Sequence, residues 1–299
     1  MSTQIKRIAI FHALPKGGGN RAIKELADLL GKNNEVDIYN IRHKEFKNFI
    51  DYYFYIFFKL KKKHEVIAKE IDSKNYDYVI VNHDYLMKSP YILKFLKTKS
   101  VYLCHEEPRE FYSDRKYFST NFKNKIVNIL RYPFKIIDKN NAIFADKLVS
   151  NSLFSKDKLE KIYNNKFQVL YLGVDKGVFN KNANLTKDNY YLSIGSTSIF
   201  KGMDFLIESI SLLPKRYRYP LVIVGGKGRD HKHILKLAKE NEVKIIHKQN
   251  ISDKELSNIY NKSALLLAGA HNEPFGLSLL ESISCGTKVI AVNEGGYKE

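Results

Sequence analysis

The chain has 299 residues, 44% of them hydrophobic and 27% charged, with 50 Lys and Arg against 32 Asp and Glu for a formal net charge of +18. That length and apolar fraction exclude a disordered tail and fit about two domains of ordinary size. Two cysteines, Cys104 and Cys285, exclude a disulfide scaffold, and no Cys-x-x-Cys pair offers a structural zinc site.

In chain order, Met1–Arg7 has no basic stretch leading into a long apolar run, so neither a secretion signal nor a compartment other than the reduced cytoplasm is expected. Arg7–Phe11 reads as a strand. Lys16-Gly17-Gly18-Gly19-Asn20 then opens a helix over Asn20–Leu30, which Gly31 ends. Glycines at a helix start let backbone N–H groups approach an anion, with a plain tight turn as the alternative. The order is not G-x-G-x-x-G, and Tyr39-Asn40 rather than an acid closes the second strand, Val36–Tyr39, so a dinucleotide site is not expected.

Residues 42–64 carry seven Lys and Arg and two acids around the ten-residue run Phe49–Phe58, which contains Asp51. A bilayer span needs about 20 apolar residues, so spanning is excluded. An aromatic stretch between lysines suits a helix lying on an anionic leaflet, and a helix with one face in the core is the alternative. Strands follow at Tyr78–Asn82 and Val101–Cys104. His105 ends the latter, followed by Glu106, Glu107 and Arg109, and is either placed for site chemistry or a hydrogen-bonded loop histidine. No second His or Cys lies at metal-ligand spacing. Residues 115–139, with seven basic residues and one acid, form a second candidate membrane contact. Lys147–Ser150, a helix at Lys156–Tyr163 and Gln168–Tyr171 complete the first series.

A polar stretch, Gly173–Asp188, reads as a hinge. Beyond it, strands are predicted near Tyr190–Ile194, Leu221–Val224, Lys244–His247, Leu265–Ala268 and Lys288–Val292. Helices are predicted near Gly202–Leu213, His231–Glu240, Asp253–Tyr260 and Phe275–Cys285, with Ser252 and Glu255 as a capping box on the third. Continuous apolar strands joined by helices mean parallel sheets covered on both faces. The fold class is therefore α/β, with doubly wound domains at residues 1–172 and 189–299 and a linker at 173–188. After the strand Tyr190–Ile194 comes a small-residue loop through Ser196, then Lys201 at a helix start, where an ammonium neutralises a phosphate that the helix dipole already favours. A solvated surface lysine is the alternative. In His271-Asn272-Glu273-Pro274-Phe275-Gly276-Leu277, Pro274 is a helix-start signal that leaves the following N–H groups for an anion. Glu281 lies eight residues beyond Glu273, about 12 Å along a helix axis. Two carboxylates on either side of an anion-binding helix start suit a nucleotide-sugar.

Glu273 to Glu281 around Pro-Phe-Gly resembles the acidic motif of retaining glycosyltransferases, and the flanking text resembles glycosyltransferase family 4. Ser252–Leu267, Ile290–Gly296, Asn151-Ser152, Leu172–Asp175 and Leu221–Gly226 fit the same family. The likeness covers most of the chain and is strongest after Tyr190. It implies a GT-B fold, two Rossmann-like domains facing across a cleft, and a retaining hexosyltransferase using a nucleotide-diphosphate sugar. Carried over by position, Glu273 would hold the donor sugar's hydroxyls and Glu281 the ribose. Lys201 and the amides of Phe275, Gly276 and Leu277 would hold the diphosphate, with Ser196 standing where the family usually has an arginine. Gly18, with Gly19 beside it, would close over that diphosphate, and His105 would sit beneath the anomeric carbon. His105, Lys201 and Glu273 form the implied catalytic set. GT-B enzymes generally use no metal, and no Asp-x-Asp motif is present, so neither metal nor cofactor is expected. The implied acceptor is a glycan or a lipid-linked glycan at the cytoplasmic membrane surface, with residues 42–64 as the anionic-membrane contact. A nucleic-acid partner is not expected, because Arg is scarce and no recognition motif appears. The family normally continues with a last strand and a crossover helix, so the second domain is expected to be incomplete. A truncated, non-catalytic nucleotide-sugar or polyanion binder is the alternative.

Overall fold

The computed structural model describes residues 4–14, 18–112 and 122–299. These form two compact units, residues 1–171 and 172–299. Lys16 and Gly17 of the first glycine loop, and part of the 115–139 segment, lie outside the described residues.

The first unit runs β1 (Arg7–Ala13), α1 (Gly18–Leu30), β2 (Glu35–Asn40), α2 (Phe49–Phe54), a π-helical stretch Tyr55–Leu60, α3 (Lys61–Ser73), β3 (Tyr78–Asp84), α4 (Ile92–Phe95), β4 (Ser100–Leu103), α5 (Arg109–Tyr112), α6 (Phe122–Ala142), β5 (Lys147–Ser150), α7 (Leu153–Tyr163) and β6 (Gln168–Val169). Its six described strands lie in the order β2-β1-β3-β4-β5-β6, every pairing parallel. The central strands β1, β3 and β4 are buried on both faces, which is why they read as unbroken apolar runs. On β1, Ala9 and Phe11 join Val79, Val81 and Tyr102 in one core. Ile8 and Ile10 pack on the opposite face with Ile23 and Ala27 of α1.

The second unit runs β7 (Tyr191–Ile194), a 3₁₀ turn Ile199–Lys201, α8 (Met203–Ser211), β8 (Leu221–Val224), α9 (His231–Glu240), β9 (Ile245–Lys248), α10 (Asp253–Lys262), β10 (Leu265–Ala268), α11 (Leu277–Ser284) and β11 (Val289–Ala291). Its parallel order is β11-β10-β7-β8-β9. Leu221 and Ile223 pack under α8, while Leu192, Val222 and Leu266 pack on the other face. The stretch 173–188, read as a hinge from its polar composition, packs on this unit: Phe179 is buried against Tyr260, ring centroids 5.9 Å apart.

Two local expectations change. Pro274 does not open α11; the helix starts at Leu277 because Gly276, its N-cap, has φ 96°, a left-handed conformation that interrupts the helical turn. Ser252 does cap α10, accepting from the Glu255 N–H at 3.2 Å. The reciprocal half of the capping box is not made, because the Glu255 carboxylate accepts from Lys248 instead, also at 3.2 Å. The aromatic run is divided as well: Tyr55 and Ile56 are core residues, while Ile50, Phe54 and Phe58 stay exposed.

Candidate functional site

In a doubly wound sheet, ligands bind beyond the carboxyl ends of the strands where the order reverses. In the second unit that point lies between β7 and β10, since the chain runs β7-β8-β9 to one side and returns to β10 on the other. The two loops leaving these strands carry Lys201 and Glu273. Lys201 Nζ donates to Glu273 Oε2 at 2.8 Å, joining residues 72 positions apart. The pair is partly buried, with side-chain exposures of 35% and 17%.

Backbone geometry builds this meeting. Ser198 caps the 3₁₀ turn by accepting from Phe200 N–H at 3.2 Å. Asp230 accepts from Ile199 N–H at 3.1 Å and from Ser198 Oγ at 3.3 Å. Thr197 Oγ1 accepts from Gly228 N–H at 3.1 Å and lies 2.9 Å from His231 Nδ1. Ser196 is half-buried in the same loop. The turn is joined to the second loop by His271 N–H donating to Phe200 C=O at 3.2 Å.

The Glu273 loop rests on the chain after β11. Gly296 N–H donates to Glu273 C=O at 2.8 Å, and Asn272 N–H donates to Glu294 Oε1 at 2.7 Å. A Cβ on Gly296 would stand 2.3 Å from Pro274 O, so the glycine allows two backbones to touch. Gly276 is buried, and a Cβ there would meet the Tyr297 ring at 2.5 Å. Phe275 and Leu277 flank it half-buried. Glu281 lies deeper on α11, 3% exposed, and its Oε2 accepts from the Tyr260 hydroxyl at 2.6 Å. Asp230, Glu294 and Tyr260 are thus supporting residues that motif reading did not single out. Only Glu294 had a signal, its place before the Gly295-Gly296 pair.

In the first unit, Gly18 begins α1 and Gly19 follows, its Cβ position 3.1 Å from Leu14 Cδ1. His105 follows β4 and packs edge-on to His83, centroids 5.4 Å apart. The buried Nδ1 atoms of both rings have no hydrogen-bond partner. Burial pushes His105 down to about 4 and His83 well below the ordinary histidine range, so both are neutral at pH 7. The carboxylates beside His105 are tied up. Burial alone would raise Glu106, yet Lys88, 2.6 Å away, and its other charged neighbours hold it at about 2. Glu107 pairs with Lys158 at 3.0 Å. His105 therefore offers a neutral imidazole, able to donate or accept a hydrogen bond, and no acid next to it is available as a proton-transfer partner. Among the described residues, no group of three or more His, Cys, Asp or Glu is arranged to hold a metal ion.

Over 303 aligned residues the chain is 25% identical to alpha-1,3/1,6-mannosyltransferase ALG2 of Saccharomyces cerevisiae, covering 84% of this chain and 58% of that one. The chain spans about half the length of the curated relatives it matches, 45% of one and 58% of another. Among solved structures, sucrose-phosphate synthase from Thermosynechococcus elongatus superposes with TM-score 0.75 at 18% identity, covering 98% of this chain and 82% of that one. HepE from Anabaena, solved with UDP and glucose, gives TM-score 0.70 at 16% identity over 98% of this chain and 82% of its own. Residues 175–299 match the family model for Glycosyl transferases group 1. With two parallel-sheet units matching GT-B structures, the chain has a GT-B fold, and the match to the glycosyltransferase group 1 model falls within its second unit.

Proposed function

We propose that the protein is a retaining glycosyltransferase that moves a hexose from a nucleotide-diphosphate sugar to a glycan or lipid-linked acceptor at an anionic membrane surface. The observation that carries this reading is the Lys201–Glu273 pair at the strand-order reversal of the glycosyltransferase group 1 domain. The mannosyltransferase relative makes mannose the first hexose to test, and the neighbour solved with UDP and glucose makes UDP a natural first nucleotide.

Glu273 would accept hydrogen bonds from sugar hydroxyls. Lys201 and the amides of Phe275, Gly276 and Leu277 would stabilise the departing diphosphate, where negative charge grows in the transition state. Glu281, oriented by Tyr260, would take the ribose hydroxyls. In the first unit, neutral His105 is the candidate hydrogen-bond partner for the reacting sugar. No carboxylate stands out as a nucleophile, so acceptor attack on the face the leaving phosphate vacates is the proposed route.

A thermal-shift panel of nucleotide-sugars and free nucleotides tests the reading. One nucleotide-sugar should stabilise the chain selectively, and Glu273→Gln should abolish transfer with the melting temperature within a few degrees of the parent. Loss of the fold on that substitution would make Glu273 structural. Selective stabilisation without transfer would leave a nucleotide-sugar binder.

A further inference from the structure

A surface pocket of about 670 Å³ opens where β2 exits toward the π-helical stretch and α3. Its walls include Ile41, Phe58, Val66 and Ile67, and its cations are Arg42, Lys59, Lys62 and Lys63. None of its lining residues is acidic. Phe58 and Val66 are 64% and 53% exposed, although both are large apolar residues that burial would favour.

The π-helical turn places these groups. A π turn inserts about one extra residue relative to an α turn and is frequent at functional sites. Here Phe57 packs inward on Phe134, centroids 5.2 Å apart, while Phe58 stays outside beside Phe54 at 5.1 Å. Lys59 lies 5.6 Å from the Phe54 ring centre, and Lys63 lies 5.5 Å from that of Tyr55, cation–π contacts of two of the lysines that line the pocket. Lys62 also reaches Glu65 at 3.2 Å but is 68% exposed. An apolar hollow ringed by four cations matches a molecule with a hydrocarbon chain and an anionic head.

We propose that this pocket takes one chain of an anionic membrane phospholipid. The chain lies against Ile41, Phe58, Val66 and Ile67, and the phosphate sits among Arg42, Lys59, Lys62 and Lys63. The inference deepens the membrane part of the proposed function and does not depend on sugar transfer. It turns general charge attraction into a defined lipid site.

The test titrates the full chain by calorimetry with monomeric short-chain phosphatidylglycerol below its aggregation concentration, and with inorganic phosphate. In parallel, co-sedimentation is measured with phosphatidylcholine vesicles with and without phosphatidylglycerol. Saturable binding of the short-chain lipid is expected, weakened at least tenfold by Phe58→Ser and by Lys62→Gln/Lys63→Gln, with inorganic phosphate far weaker. The variants' melting temperatures and their stabilisation by nucleotide-sugar check that the fold is intact. Binding to anionic vesicles without any binding of the monomeric lipid would overturn the pocket and leave surface docking standing. Equal binding of inorganic phosphate would reduce the pocket to an anion site and overturn the lipid assignment. Absence of both lipid and vesicle binding would remove the membrane reading with the pocket, leaving sugar transfer to be judged by its own assay.

Discussion

At the scale of single residues, the two carboxylates of the proposed site, Glu273 and Glu281, are each held in place by groups outside their own motif. A carboxylate 3% exposed needs donors, since losing one leaves part of its desolvation cost uncompensated. Tyr260→Phe removes the 2.6 Å hydroxyl bond to Glu281 and should lower stability by about 1–3 kcal/mol. Urea denaturation measures this, and an unchanged midpoint would mean that other donors already satisfy Glu281. Gly296→Ala acts on the other carboxylate. Its Cβ would stand 2.3 Å from Pro274 O, backbone against backbone, so the Glu273 loop has to shift. Misplacement by about 1 Å can cost roughly 10²-fold in rate, and a loss of that order in transfer is expected. Wild-type turnover by this variant would show that the loop adapts without moving Glu273. Lys201 and Glu273 were each legible as phosphate and sugar candidates from local motifs. Their contact was not, because nothing in a separation of 72 positions encodes a distance.

At the scale of elements, legibility followed burial. The strands that both faces cover, such as Leu221–Val224, Leu265–Ala268 and Lys147–Ser150, stand where their apolar runs predict. Less of β6 survives: Gln168–Val169 is the whole strand, and Leu170 and Tyr171 are exposed despite their apolar character. The Phe49–Phe58 run has no readable period, so sequence alone could not assign its faces; packing sends Tyr55 and Ile56 inward and leaves Phe54 and Phe58 outside. The 173–188 stretch is polar in composition, yet one aromatic anchors it on the second unit. Phe179 fills a space beside Tyr260, Leu192 and Cys285. Phe179→Ala should therefore destabilise the second unit by about 3–5 kcal/mol, the usual cost of emptying a buried phenyl site. Hydrogen exchange across residues 189–299 reads this directly. Unaltered protection there would assign the stretch to a linker after all.

At the scale of the whole molecule, the buried histidines set a direction for acid stability. Burial lowers His64 and His105 to about 4, and lowers His12 and His83 as well, all in the first unit. An unfolded histidine titrates near 6.5, so between about pH 6.5 and 4 the unfolded chain binds protons that the folded first unit does not. The stabilisation is fully present above about pH 6.5, declines as pH falls through the window and is gone below about 4. Asp138 opposes it: burial raises its carboxyl to about 6, so acidification across roughly pH 6 to 4 favours the folded state at this one group. Four lowered histidines outweigh one raised carboxyl. In the second unit, among the described residues, His231 is the histidine with a lowered value, through burial and then the neighbouring His247 and Lys227. Acidification from pH 7 to 4.5 should therefore reduce hydrogen-exchange protection more over residues 4–171 than over 172–299. High salt separates this from general repulsion on a chain of charge +18, because exposed charges are screened within about 3 Å at 1 M whereas buried imidazoles are not. The asymmetry should persist at high salt, and Asp138→Asn, which removes the opposing titration, should make the first unit's decline steeper. Equal loss of protection in both units, or an asymmetry abolished by salt, would assign the acid response to surface charge instead of the buried rings.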